Sequence, residues 1–252
     1  MTLFKATTWT RAALFAVPLF AAQVAVTQLQ IDVGLSPLSS AFAAEKKEKS
    51  QEATRRTPAL RNSVYEKLSE AQVAAEAKDL ATAKQILDEM IATDGKKSLN
   101  SYELANVYNL YAFIQYSRED YAGALRSYEQ VVAQPDIPLA MEINTRFTIA
   151  QLYFVQEQWQ KGINALIKWF EMTDTPNANA YVLLAQGYYQ VKDYDKSLVN
   201  VQKAIRMSEE AGKIPREQWY NLARYLYFEK NDTNSTVVVL EQLLKHYPKK
   251  EY

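Results

Sequence analysis

Most of this chain is built from one pattern written five times, and that repetition limits the fold more than any single motif does. Each copy has a small residue about eight positions into a first helix, and all but the first have an aromatic three or four residues later. A short polar turn follows, and then a second small residue and further apolar positions three to four residues apart. The turns read Lys78-Asp79-Leu80, Glu119-Asp120-Tyr121, Glu157-Gln158-Trp159, Lys192-Asp193-Tyr194 and Asn231-Asp232-Thr233. The small residues before them are Ala71, Ala112, Ala150, Ala185 and Ala223, and those after them are Ala83, Ala124, Gly162, Ser197 and Thr236. Successive copies are spaced by 41, 38, 35 and 39 residues. A period of this size marks a stacked array of supersecondary units.

The pattern has a physical cause. Two antiparallel helices joined by a tight turn approach closely only where their facing side chains are small, which sets Ala112 against Ala124 and Ala185 against Ser197. Larger apolar residues, such as Tyr128, Val131 and Val132, then point toward the next hairpin. One hairpin cannot bury its own apolar face, so the copies must stack. The periodicity predicts helices over 62–77, 80–93, 101–117, 121–134, 139–156, 159–173, 177–191, 194–211, 216–229 and 234–247. Asn100 or Ser101 reads as a helix N-cap. Pro135, Pro138, Pro176, Pro215 and Pro248 fall between helices or at their ends, where a missing N–H costs least. Only 6 Gly in 252 residues and no recurring Asn-Gly or Asp-Gly hairpin signal argue against a β-sandwich or barrel.

These residues resemble the tetratricopeptide repeat family over about 62–248. The fourth copy matches through Tyr181, Leu184, Ala185, Tyr188, Tyr194, Ser197 and Ala204, and the second through Tyr108, Ala112, Tyr121, Ala124 and Tyr128. The first and fifth copies are degenerate. The resemblance implies an all-α, right-handed α-solenoid of about five helical hairpins, occupying 62–252. In such arrays the first helix of each hairpin lines the concave face through its second, fifth, ninth and twelfth positions. Here these are Asn106, Asn109, Phe113 and Tyr116; Asn144, Phe147, Gln151 and Phe154; Asn179, Val182, Gln186 and Tyr189; and Glu217, Tyr220, Arg224 and Tyr227. Amides and aromatics dominate this set. Amides pair with the backbone of an extended peptide, and aromatics bury area at small entropic cost. The alternative is that Tyr116, Tyr189 and Tyr227 simply pack within the stack. Arg224 is nearly alone as a cation, which speaks against recognition of C-terminal carboxylates through a basic clamp.

A narrower resemblance rests on NSYELANVYNLYAF, EDYAGALRSYEQVVAQ, IAQLYFVQEQWQKGINALIKWF and YVLLAQGYYQVKDY. These stretches look like a group of exported tetratricopeptide proteins of Gram-negative bacteria, described as accessory components of TonB energy-transduction systems. It implies a scaffold of the cell envelope whose partner is a protein or extended peptide, a TonB-complex component among the candidates. Members of the group continue with more hairpins after a segment like Tyr247–Tyr252, so the resemblance implies an array extending past this chain's last residue.

The N-terminus fits export. Residues 12–22, AALFAVPLFAA, are wholly apolar after Lys5 and Arg11, and Ala41-Phe42-Ala43 supplies small residues at the two positions a signal peptidase reads. Residues 1–44 therefore read as a signal peptide or an uncleaved N-terminal anchor, and both place the rest outside the cytoplasm, in the periplasm. Residues 45–61, charged and without apolar period, read as a flexible linker. Membrane association is then expected only through partners or an uncleaved N-terminal segment.

Nothing in the chain reads as catalytic machinery. There is no Cys and a single His, His246, so a His–Cys zinc site and a Ser–His nucleophile are unavailable. Adjacent carboxylates such as Asp88-Glu89 and Glu209-Glu210 point in different directions on a helix. No phosphate-binding glycine loop occurs. The formal net charge of zero gives no general pull on nucleic acid, whose binding rests on neutralised phosphates. The expectation is a non-catalytic interaction scaffold with no metal and no cofactor; a periplasmic assembly factor for outer-membrane or cell-wall complexes unrelated to TonB is the alternative.

Overall fold

The structure, a computed structural model, describes residues 58–92 and 98–248. The export segment 1–44 and the linker up to residue 57 lie outside the described residues. The described residues form ten α-helices and no strand. They pair as α1 (Asn62–Glu76) with α2 (Leu80–Ile91), α3 (Ser101–Ser117) with α4 (Tyr121–Ala133), and α5 (Leu139–Val155) with α6 (Trp159–Met172). The last two hairpins are α7 (Ala178–Gln190) with α8 (Tyr194–Glu210), and α9 (Glu217–Glu229) with α10 (Thr233–His246). All ten expected helices are present, with ends displaced by no more than two residues, the ordinary uncertainty of a helix terminus. The chain is an all-α solenoid.

The five hairpin turns share one construction. Lys78, Glu119, Glu157, Lys192 and Asn231 all adopt the left-handed conformation, with φ between 55 and 63. Around each, two N–H groups close back on the ending helix: Asp79 donates to the Ala74 carbonyl at 2.9 Å and Lys78 to that of Ala75 at 3.0 Å, and the other four turns repeat both bonds. This is a Schellman stop, which satisfies carbonyls the helix would leave orphaned. Four of the five left-handed residues are of types that pay about 1–2 kcal/mol for that conformation. Compensation comes from the next residue, which starts the second helix. Asp79, Asp120, Asp193 and Asp232 accept N-cap bonds from Thr82, Gly123, Lys196 and Ser235 at 2.8–3.2 Å. Such a cap contributes about 1 kcal/mol. Gln158 makes no such bond.

Inside each hairpin the small residues meet. Ala71, Ala83, Ala112, Ala124, Ala185 and Ser197 are fully buried. The Ser197 hydroxyl donates to the Ala185 carbonyl at 2.8 Å, so this hairpin is closed by a hydrogen bond as well as by contact. The apolar clusters lie at the junctions between hairpins. One joins Leu68 and Leu87 to Val107 and Ile114 of α3; another joins Tyr128 and Val131 to Ile149 and Leu152 of α5; a third joins Val201 to Trp219 and Leu226 of α9 and Leu243 of α10.

Asn100, rather than Ser101, caps α3. Its side chain accepts from the Glu103 N–H at 2.9 Å, while the Glu103 carboxylate accepts from the Asn100 N–H at 3.0 Å, completing a capping box. The same carboxylate receives the Arg61 guanidinium through Nε at 2.8 Å and Nη2 at 2.6 Å. The Glu103 side chain is 0% exposed and that of Arg61 is 40% exposed. This fork ties the start of α1 to the start of α3. Burial alone pushes the Glu103 carboxyl up, but the hydrogen bonds from Arg61 and the Asn100 N–H outweigh it and hold it below the ordinary glutamate value.

Candidate functional site

The candidate face runs along the odd-numbered helices, and its residues fall into two groups. The first group remains accessible. Asn144 and Asn179 are exposed, and Asn109, Phe113, Phe147, Gln186 and Arg224 are half-buried. By helical register they form a row across α3, α5, α7 and α9. Asn106 lies in the same row, but its amide is engaged, donating to the Tyr102 carbonyl at 2.8 Å. The Phe147 ring packs against Trp169 at 4.7 Å between centroids, which fixes its position from below. Trp169 itself is buried and its indole N–H has no partner among the described residues.

The second group is structural. Phe154 is 2% exposed, so its ring is closed to any ligand, contrary to its expected place on the groove. The reason is a packing requirement. The third hairpin has Ala150 and Gly162 at its close approach, and the Phe154 ring fills the space that these residues leave. A Cβ on Gly162 would stand 3.0 Å from that ring, and one on Gly187 of α7 would stand 2.5 Å from it. Tyr220 is likewise 2% exposed, with its hydroxyl donating to Glu209 at 3.1 Å. Gln151 and Val182 are also buried.

The aromatic tips of the first helices lock their own hairpins. Tyr116 meets Tyr121 edge-on at 5.4 Å, Phe154 meets Trp159 at 6.2 Å, and Tyr189 stacks on Tyr194 at 5.9 Å. In each case the partner is the first residue of the second helix. Tyr189 also meets Tyr225 edge-on at 5.5 Å. Burial, with the neighbouring Tyr121, raises the Tyr116 hydroxyl above its ordinary value. The first and last hairpins have Leu80 and Thr233 where the middle three have an aromatic, and in the last Tyr227 instead accepts a hydrogen bond from Gln202 of α8. Tyr116, Tyr189 and Tyr227 therefore belong to the stack, and only their edges border the face. The sequence held the signal for this arrangement in the aromatics that follow the second, third and fourth turns.

Arg224 is the single cation of the row. Its Nε is buried without a partner among the described residues. The face is therefore rich in amides, framed by two phenylalanines, and nearly uncharged. It can pair with backbone amides and cover apolar side chains. Among the described residues no group of three or more His, Cys, Asp or Glu is placed to hold a metal ion, and His246 lies in the last turn of α10. No helix of the described residues is long and apolar enough to cross a membrane.

No protein-family model matches the chain, and no curated protein matches it either. Solved structures do. A structure described as MamA 41-end from Desulfovibrio magneticus RS-1 superposes with a TM-score of 0.57 at 13% identity, covering 77% of this chain and 100% of that one. YrrB, described as a TPR protein with an unusual peptide-binding site, gives 0.56 at 13% identity over 73% of this chain and 87% of its own. The apo form of RapI gives 0.58 at 11% identity, with 72% of this chain and 52% of that chain covered. At such identities the likeness speaks for the fold alone: a tetratricopeptide-like α-solenoid.

Proposed function

We propose that this protein is a non-catalytic scaffold that binds an extended segment of another protein along its odd-helix face. The observation that carries the reading is the row of accessible amides on successive hairpins, Asn109, Asn144, Asn179 and Gln186, beside Phe113 and Phe147. Amides that are not engaged by the fold can pair with the backbone of an extended peptide, and fixed aromatic rings supply contact area without ordering cost. The peptide-binding site named for YrrB is consistent with such a use of this fold.

The setting we propose is the periplasm, reached through residues 1–44, with the chain serving as an accessory component of a TonB-type energy-transduction system. The support for this is sequence resemblance and the apolar run of residues 12–22 followed by Ala41-Phe42-Ala43. Crosslinked affinity capture from intact cell envelopes tests it. Recovery of TonB, its proton-channel partners or a TonB-dependent receptor is the expected result. Recovery of outer-membrane or wall-assembly proteins alone, with the TonB machinery expressed but absent from the capture, overturns the TonB assignment in favour of an assembly factor.

A further inference from the structure

The open side of α3, α5 and α7 repeats at a spacing that fits one conformation of a bound chain. These are inner helices, each followed by another hairpin, so what they leave accessible is not an end of the array. Asn144 of α5 and Asn179 of α7 are exposed at the same register. Asn109 of α3 is half-buried one turn further along its helix, with Phe113 a turn beyond it. Phe147 likewise lies a turn beyond Asn144. Both α3 and α5 thus offer an amide and then a ring. The first helices of consecutive hairpins touch: a Cβ on Gly187 of α7 would stand 2.5 Å from the Phe154 ring of α5, and Tyr189 of α7 meets Tyr225 of α9 at 5.5 Å. Helices in such contact lie about 8–10 Å apart, which is the step from one hairpin's amide to the next.

Two extended conformations compete for such a face. A polyproline II helix rises about 3.1 Å per residue with three residues per turn, or about 9.3 Å, so every third residue returns to the same side. Each turn then meets one hairpin in the same way. A β-strand needs about three residues at roughly 3.3 Å to cover one step. Its side chains alternate, so successive hairpins would meet opposite faces. The face also lacks a strand edge. Its elements are helices, whose N–H and C=O groups are spent on their own turns, and a β-strand binds by main-chain pairing with such an edge. A proline-rich chain carries carbonyls without a matching row of N–H groups, and side-chain amides supply the donors. Aromatic rings are the usual bed for prolines, and Phe147 is held in place by Trp169 at 4.7 Å.

We infer that the partner's segment is proline-rich and binds as a polyproline II helix, with an apolar side chain at every third position and one turn over each of α3, α5 and α7. The inference rests on the odd-helix face being the site for an extended segment, and it narrows the conformation and composition of that segment.

The probe is fluorescein-labelled (Pro-Pro-Leu)4, titrated into the full chain and followed by anisotropy. Its length of about 37 Å is enough to cross all three helices. The comparison peptide (Gly-Ser-Leu)4 carries the same leucines on a flexible chain. Saturable binding of the first is expected, tighter than that of the second by roughly tenfold or more, since the free proline helix has less freedom to lose. Phe147→Ala weakens it by roughly tenfold. The double variant Asn144→Ala, Asn179→Ala weakens it by roughly tenfold as well; both positions are exposed, and circular dichroism checks the fold. Val199→Glu, on the solvent side of α8, leaves it unchanged. Absence of saturable binding, or binding indifferent to the Phe147 and asparagine variants, overturns the inference. Equal binding of the two peptides, lost in the asparagine double variant, also overturns it while leaving the extended-segment reading in place. That reading falls separately, when partner adducts in cells form away from the odd-helix face.

Discussion

Replacing Gly187 with Ala tests the packing around Phe154, because two effects of opposite sign meet there. Gly187 lies inside α7, where an exposed Gly→Ala change stabilises a helix by about 1 kcal/mol. Here the new Cβ would stand 2.5 Å from Phe154 Cε1 and 2.9 Å from Ile163 Cγ1. Both neighbours are buried, at 2% and 1% exposure. Overpacking of this kind costs about 1–3 kcal/mol, which offsets or exceeds the helix gain, so the net expectation is a loss of up to about 2 kcal/mol. Phe154→Leu shortens the side chain and opens the space. In that background the same Gly187→Ala change should be neutral or stabilising, giving a coupling of at least about 1 kcal/mol between the two positions. Urea denaturation of the four proteins in the cycle, followed by far-ultraviolet circular dichroism, measures it. A stabilised Gly187→Ala single variant, or additive effects of the two changes, refutes the clash and the role of Phe154 as the filler between α5, α6 and α7.

Three further outcomes are expected. Gln158→Asp supplies the cap missing from the third turn and should stabilise the chain by about 1 kcal/mol, read as a higher urea midpoint at unchanged slope. Glu103→Gln keeps the shape but removes the charge that receives Arg61; loss of a buried partner typically costs 3–5 kcal/mol, and the partly solvated Arg61 lowers this to roughly 2 kcal/mol. Because the Glu103 carboxyl sits below its ordinary value of 4.5, its contribution is present above that value and lost as pH falls through the folded-state value. The wild-type melting temperature should therefore fall more steeply below about pH 5 than that of Glu103→Gln. The triple variant Asn109→Ala, Asn144→Ala, Asn179→Ala should reduce partner capture by roughly tenfold or more, while each change alters stability by less than about 0.5 kcal/mol.

The fold was legible because its determinants are local. Small residues at Ala112, Ala124, Ala185 and Ser197 set the hairpins, prolines and the turn aspartates mark their ends, and the 3.6-residue period does the rest. The polar turns are plain in the sequence, but the left-handed residue before each second helix is not, since Lys78, Glu119, Glu157 and Lys192 are not types that advertise that conformation. The face was legible only in part. Register alone assigns Tyr116 and Phe154 to equivalent positions, yet the first stays half-buried and the second is enclosed. The difference lies in Gly162 and Gly187, on two other helices, which together make room for one ring. Tyr220 is enclosed for a similar non-local reason: Glu209, at the end of α8, reaches its hydroxyl. The Arg61–Glu103 fork joins residues 42 apart, and no periodicity announces such a pair.

Site-specific photocrosslinking tests the interaction face most directly. A photoreactive amino acid is placed at Asn109 and Asn179 on the odd-helix face, and at Val199 on the solvent side of α8, in cells that make the full chain. After irradiation, adducts are sized and identified by mass spectrometry. The same partner protein joined through Asn109 and Asn179, with no adduct at Val199, is the predicted result. Adducts formed at Val199 alone, with both odd-helix positions silent, contradict a binding role for that face.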